Sequence, residues 1–93
     1  MPKLDDPGIE SGLAQLPAWS RDGNFITRKF EFADFVTAFG WMSAVALVAE
    51  SMDHHPDWSN VYRTVEVRLS THDAGGLTQK DFDLAARMDT LAS

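Results

Sequence analysis

The chain has 93 residues and no cysteine, which suits one domain (residues 1–93) without disulfide or thiolate chemistry and fits a cytoplasmic location. Its 14 acidic and 8 basic residues give a net charge of -6, and the basic ones are scattered, which argues against direct nucleic-acid binding. No apolar run reaches about 18 residues without a charge, so no membrane span is expected, and the acidic, proline-broken start "MPKLDDPGIE" lacks the apolar stretch of a signal peptide.

Residues 1–8 read as flexible. Residues 9–16, "IESGLAQL", suggest a short helix that Gly12 weakens and Pro17 ends. "AWSRDGNFITRKFEF" reads as a hairpin turning at Asp22-Gly23. After the turn, Ile26, Arg28, Phe30 and Phe32 share one strand face, and Arg28 is expected to snorkel at an edge. Asp34 suits an N-cap. From there Phe35, Phe39, Met42, Val45, Ala46, Ala49 and Met52 form a helical stripe. Trp41 lies off that stripe, either at an interface or packed under the sheet. Pro56 disfavours helix at the residue before it, so this helix should stop near residue 53.

"VYRTVEVRLST" alternates again as one long or broken strand, with Val61, Arg63, Val65, Val67 and Leu69 on one side. "AGG" (74–76) turns the chain. Thr78 and Asp81 have capping-box spacing for a last helix, whose apolar face is Leu84, Ala85, Met88 and Leu91. The pattern predicts an α+β two-layer domain: a four-stranded antiparallel sheet with three helices on one face. A chain this small buries only about two-thirds of its unfolded surface, so self-association would add stability.

"MDHHPDW", residues 52–58, holds two of the three histidines. Three readings compete. Zinc can be held by three histidines, but adjacent side chains on a helix or strand diverge, and helical metal pairs are usually spaced i, i+4. A helix-end histidine interacts favourably with the helix dipole by about 0.3 to 1 kcal/mol, which accounts for one histidine but not two. The third reading is acid–base work. Histidine titrates near pH 6.5, and His54 and His55 could hold opposite sides of a flat substrate while His72 approaches from the strand end. Trp58 is a candidate aromatic wall, with ordinary packing as its alternative. No serine lies in a G-x-S-x-G context, and no phosphate-binding glycine loop is present.

The run "AESMDHHPDWSNVYRTVEVRLSTHDAGGLTQKDFDLAARMD", residues 49–89, resembles the pterin-4a-carbinolamine dehydratases, also known as the dimerisation cofactor of a homeodomain transcription factor. "RKFEFADFVTAFGWMSAVALVAE" continues the likeness upstream, so that it covers residues 16–90. The resemblance implies a hydro-lyase acting on the pterin 4a-carbinolamine (4a-hydroxy-tetrahydrobiopterin) left by an aromatic amino acid hydroxylase. Water is eliminated across C4a and N5 to give the quinonoid dihydropterin. The pterin is the substrate, and no metal or other cofactor is implied.

The same resemblance makes His54, His55 and His72 the catalytic residues. His54 or His72 would protonate the 4a-hydroxyl, the other assisting as base, and His55 would orient the ring. It further implies substrate contacts from Glu50, Asp53, Trp58, Ser70, Thr71, Asp73 and Asp81. Glu50 and Asp53 could instead fix a histidine or face solvent, and Asp81 could simply complete the capping box with Thr78. A homodimer or homotetramer is implied, built from dimers whose sheets join and whose helices pack together. The competing reading is a non-catalytic module that stabilises another protein's dimer or assists assembly.

Overall fold

The computed structural model describes residues 2–93. Its elements run α1 (Asp6–Ala14), β1 (Ser20–Asp22), β2 (Phe25–Glu31), α2 (Phe35–Met52), β3 (Asp57–Val61), β4 (Thr64–Leu69), a single 3-10 turn (His72–Ala74) and α3 (Gln79–Ala92). All strand pairs are antiparallel, in the order β1-β2-β4-β3. The α+β architecture is the one expected from the sequence. Ile26, Phe30, Val65, Val67 and Leu69 are buried on one sheet face, with Val45 of α2 and Leu84 and Met88 of α3. Lys29, Glu31, Ser59 and Glu66 stay exposed on the sheet.

The first helix starts earlier than expected, at Asp6 instead of Ile9. Asp5 caps it by accepting the Gly8 N–H at 2.8 Å. Pro7 is tolerated in the first turn, where its missing N–H would have no helical partner anyway. Gly12 is no weakness here. A Cβ at that position would lie 2.6 Å from two ring carbons of buried Phe82, so the absent side chain lets α1 seat on α3.

Arg28 pairs with Val67 of β4 on one side and lies just past the β1 pairing, which ends at Thr27, so β2 is an edge on its other side there. Arg28 crosses the Phe30 ring at 4.1 Å and bonds Asp89 of α3 at 2.6 Å. The stretch 61–71, read as one long or broken strand, is broken: Val61 ends β3, a turn follows, and β4 runs from Thr64 to Leu69. The turn places Tyr62 at φ 53, a left-handed conformation that no Asn-Gly or Gly-x signal marks. Asn60 braces that turn by donating to the carbonyls of Tyr62 and Thr64.

The buried face of α2 is Ala38, Trp41, Val45 and Ala49. It shares Val45 and Ala49 with the stripe that the apolar spacing suggests, and Met42 and Met52 pack against its margin, but Phe35, Phe39 and Ala46 are exposed and Ala38 and Trp41 are buried in their place. The small alanines let α2 approach the sheet, and Trp41 takes the centre. Its ring lies 4.4 Å from Phe30 and 5.2 Å from Phe32, and its Nε1 donates to the Met88 carbonyl. Trp41 is therefore packed under the sheet. The length and composition of α2 alone would suffice for a membrane span, even with Glu50 included. In α3, Phe82 joins the buried face, while Leu91 is exposed.

Two outcomes test this packing. Gly12→Ala should destabilise by about 1–3 kcal/mol in chemical denaturation, because overpacking outweighs the helix propensity that alanine ordinarily adds. The Asp34 carboxyl is held below its ordinary value of 3.8 by hydrogen bonds from the Thr37 backbone and side chain. A lowered folded value means stability that is present above the unfolded pKa and lost as pH falls through the folded one. Asparagine keeps the cap without titrating. The melting temperature of Asp34→Asn should accordingly fall less than wild type when pH is taken from about 5 to about 2, read by circular dichroism.

Candidate active site

Four chain segments meet at one end of the sheet: the end of α2, the residues after β4, the 3-10 turn and the start of α3. The end of α2 determines where the paired histidines go. Asp53 adopts the left-handed conformation (φ 51, ψ 45), its N–H bonds the Glu50 carbonyl, and the His54 N–H bonds the Ala49 carbonyl. This is a Schellman ending with aspartate where glycine is commoner. It sends the two adjacent side chains to different environments. His54 is buried, whereas the His55 side chain is 61% exposed.

His54 meets Asp81, with Nε2 2.6 Å from Oδ1. Asp81 has no exposed surface. Its other oxygen accepts the Thr78 N–H at 2.9 Å and the Thr71 hydroxyl at 2.8 Å. Since Thr71 uses its one proton on Asp81, the 2.7 Å contact between the two threonine hydroxyls must be donated by Thr78. A carboxylate only accepts, so Nε2 of His54 is the donor. No buried side-chain nitrogen or oxygen lacks a partner among the described residues, so Nδ1 of His54 keeps access to the cleft. The result is a histidine whose ring orientation and tautomer are held from behind by a carboxylate.

His55 turns outward, and its Nε2 lies 2.8 Å from Glu50. Glu50 thus serves His55, not His54. His72 opens the 3-10 turn, which hydrogen bonds between Thr71 and Gly76 close off at its base. Its ring is fully exposed, with only Asp73 nearby at 3.7 Å. A cleft of about 280 Å³ is lined by Asp53, His54, His55, Ser70, Thr71, His72, Asp73 and Lys80. The three histidines that the sequence singles out therefore share one cavity.

Several expected substrate contacts lie elsewhere. Trp58 is on the helix-facing side of β3, 6.0 Å from Trp41, and lines no part of this cleft. Asp81 is sealed behind His54, so it holds that ring and the capping box of α3 instead of a ligand. The Thr71 backbone is occupied by Gly76, Ala74 and Gly75, and its hydroxyl by Asp81. Thr71 still borders the cleft, as do Ser70, Asp53 and Asp73. Among the described residues no group of three or more histidines and carboxylates has metal-site geometry. Lys80 was not singled out from the sequence. A cation in the first turn of a helix runs against the helix dipole, and that mismatch was its available signal.

A helix-covered antiparallel sheet with three histidines around one end defines the class. Over residues 2–91 the chain matches the family model for pterin 4 alpha carbinolamine dehydratase. A relative from Chelativorans sp. (strain BNC1), provisionally named pterin-4-alpha-carbinolamine dehydratase, is 52% identical over 93 residues, covering 98% of this chain and 95% of its own. The crystal structure of a transcriptional coactivator/pterin dehydratase from Brucella melitensis superposes with a TM-score of 0.95 at 41% identity, covering 98% of this chain and 99% of that one. A pterin dehydratase-like protein identified as a RuBisCO assembly factor in the alpha-carboxysome shares the fold, with a TM-score of 0.70 at 23% identity, covering 82% of this chain and 90% of that one. The chain belongs to the pterin-4a-carbinolamine dehydratase family.

The buried His54–Asp81 pair yields a structural test. In Asp81→Asn one amide face must turn an NH2 group toward either His54 or the Thr71 and Thr78 donors. Breaking a buried pair in this way should destabilise the domain by about 3 kcal/mol. Denaturation measures that loss. Ring nitrogen–proton correlation spectra should show Nε2-protonated His54 in wild type and loss of that fixed state in the variant.

Proposed function

We propose that the protein is a 4a-hydroxytetrahydropterin dehydratase. The observation that carries this reading is the Asp81-held His54, sharing one cleft with His55 and His72. The reaction breaks the C4a–O bond and the N5–H bond. The hydroxyl leaves as water once it is protonated, and the N5 electron pair closes the C4a=N5 double bond. Both proton transfers suit imidazoles, which exchange protons near neutral pH.

His54 and His72 divide the two transfers, one giving a proton to the hydroxyl and the other taking one from N5. Nδ1 is the working nitrogen of His54, since Nε2 is bonded to Asp81. Asp81 offsets the positive charge that the ring carries while it holds both protons, as carboxylates do behind other catalytic histidines. His55, steadied by Glu50, orients the flat bicycle, and Ser70, Asp53 and Asp73 offer polar groups at its edge. The substrate of this reaction is left by an aromatic amino acid hydroxylase, which makes such an enzyme the functional neighbour.

The outer face of α2 supports self-association into a homo-oligomer. Phe35, Val36, Phe39 and Leu47 are 47 to 79% exposed on one helix. The Phe35 and Phe39 rings already pack at a tilt, 5.8 Å between centroids, forming an apolar surface that burial would stabilise. The same face also suits the alternative of a non-catalytic partner role.

Stopped-flow absorbance on freshly generated 4a-hydroxytetrahydropterin tests the enzyme reading. Wild type should accelerate dehydration over buffer. His54→Ala and His72→Ala should each lower that rate by about 10²- to 10⁴-fold. His72→Ala should leave stability within about 0.5 kcal/mol, as its ring makes no packing contact. A wild-type rate equal to the buffer rate would remove the dehydratase assignment and favour the partner role.

A further inference from the structure

His72 is the least supported of the three histidines. Its ring has only Asp73 nearby, so its place at the cleft is set by its backbone. That backbone is a short loop. The Thr71 carbonyl accepts the N–H groups of Ala74, Gly75 and Gly76, and the Thr71 N–H donates to the Gly76 carbonyl at 2.9 Å. The Thr71–Gly76 pair is an isolated bridge, with no adjacent pair to reinforce it. Backbone hydrogen bonds of this kind open readily where water reaches them. On the side entering the loop, the Thr71 hydroxyl is tied to Asp81. On the side leaving it, Gly76 has no side chain with which to cover the bridge.

The cover comes from the start of the chain. The Leu4 N–H donates to the Leu77 carbonyl at 2.8 Å, and the Leu4 side chain packs against the core. The stem of Lys3 lies across Gly76: a Cβ there would stand 3.1 Å from its Cδ and 3.3 Å from its Cγ and Cε. Gly76 is buried under this stem, whereas Gly75 beside it is exposed. The Lys3 ammonium enters no ion pair among the described residues, so the contact is one of methylenes on backbone. The segment is also anchored behind. Asp5 accepts the Gly8 N–H with its carboxylate and the Ile9 N–H with its carbonyl, and Ile9 is buried.

We propose that Lys3 and Leu4 are positioning residues for His72, a strap that keeps the Thr71–Gly76 bridge closed and so holds the imidazole at the cleft. The proposal rests on the dehydratase reading, in which His72 moves a proton. Misplacing a catalytic group by about 1 Å can cost about 10²-fold in rate. His54 and His55 stand on another segment, so loosening the strap should impair the chemical step and spare substrate binding.

Amide hydrogen exchange, followed residue by residue by NMR, tests the strap without any substrate. The Leu4 amide, ahead of the first helix, should be protected at least about tenfold over an unstructured peptide. Lys3→Gly removes the stem and should speed exchange of the Thr71 amide by about tenfold, while Lys3→Met keeps the stem and should leave it at the wild-type rate. Stopped-flow dehydration then tests the link to His72. Lys3→Gly should lower kcat by about tenfold with KM within about twofold, and Lys3→Met should match wild type. In a His72→Ala background, Lys3→Gly should change the rate by less than about twofold, because the group it positions is already gone.

Free exchange at Leu4, or Thr71 exchange unchanged in Lys3→Gly, overturns the strap. An unchanged kcat in Lys3→Gly overturns the positioning role. So does an equal fall in the wild-type and His72→Ala backgrounds, which marks a loss of folded enzyme instead. A wild type that does not accelerate dehydration removes the dehydratase reading and the role given to His72 with it; protected Leu4 and Thr71 amides distinguish that result from failure of the strap.

Discussion

The carboxylate of Asp81 has no contact with water, and three segments of chain depend on it. It accepts the Thr78 N–H that begins α3, the Thr71 hydroxyl that follows β4, and the His54 ring beyond α2. A buried carboxylate is strongly destabilising unless such donors surround it. Once they do, each donor is fixed in turn, because any departure leaves a buried charge short of a partner. The cleft is therefore assembled by a folding requirement. The same hydrogen bonds that start the last helix also hold the ring of the proposed proton donor or acceptor.

That economy explains the exposure of the other two histidines. Only His54 has a buried partner. His55 and His72 border the cleft outside the helices and reach water freely. A flat ligand entering the cleft would find one wall rigid and the other adaptable. Lys80, beside Asp81 in the first turn of α3, adds a cation where the helix itself disfavours one. Its presence is easier to understand as service to an occupied cleft than as support for the fold.

Much of this was legible in the sequence, and the failures have physical causes. The alternation of β2 and β4 gave the sheet, Asp34 gave the start of α2, and the Thr78/Asp81 spacing gave the start of α3. The paired histidines before Pro56 stood out in the sequence because neither capping nor packing explained both. The α2 stripe was right at Val45 and Ala49 but wrong at Phe35, Phe39 and Ala46, because that helix is apolar on two sides. Periodicity cannot say which side meets the sheet, and small Ala38 and Ala49 proved to be the close contacts. The β3–β4 turn escaped notice because Tyr62 takes a glycine-like conformation. Asp81 was read as a substrate contact or a capping-box residue; it does cap α3, but its bond to His54 was in neither reading, because a contact between residues 27 apart leaves no local pattern.

The left-handed Asp53 has a consequence for what the segment can tolerate. His54 and His55 differ in environment only because the chain reverses its hand one residue before them. Their chemistry is identical, so register alone distinguishes the inward ring from the outward one. Inserting or deleting a single residue between Ala49 and Pro56 would present the wrong imidazole to Asp81, even with every side chain retained. The length of this segment is therefore a tighter constraint than most of its composition, and the site is vulnerable to frameshifts of one position that a surface loop would absorb.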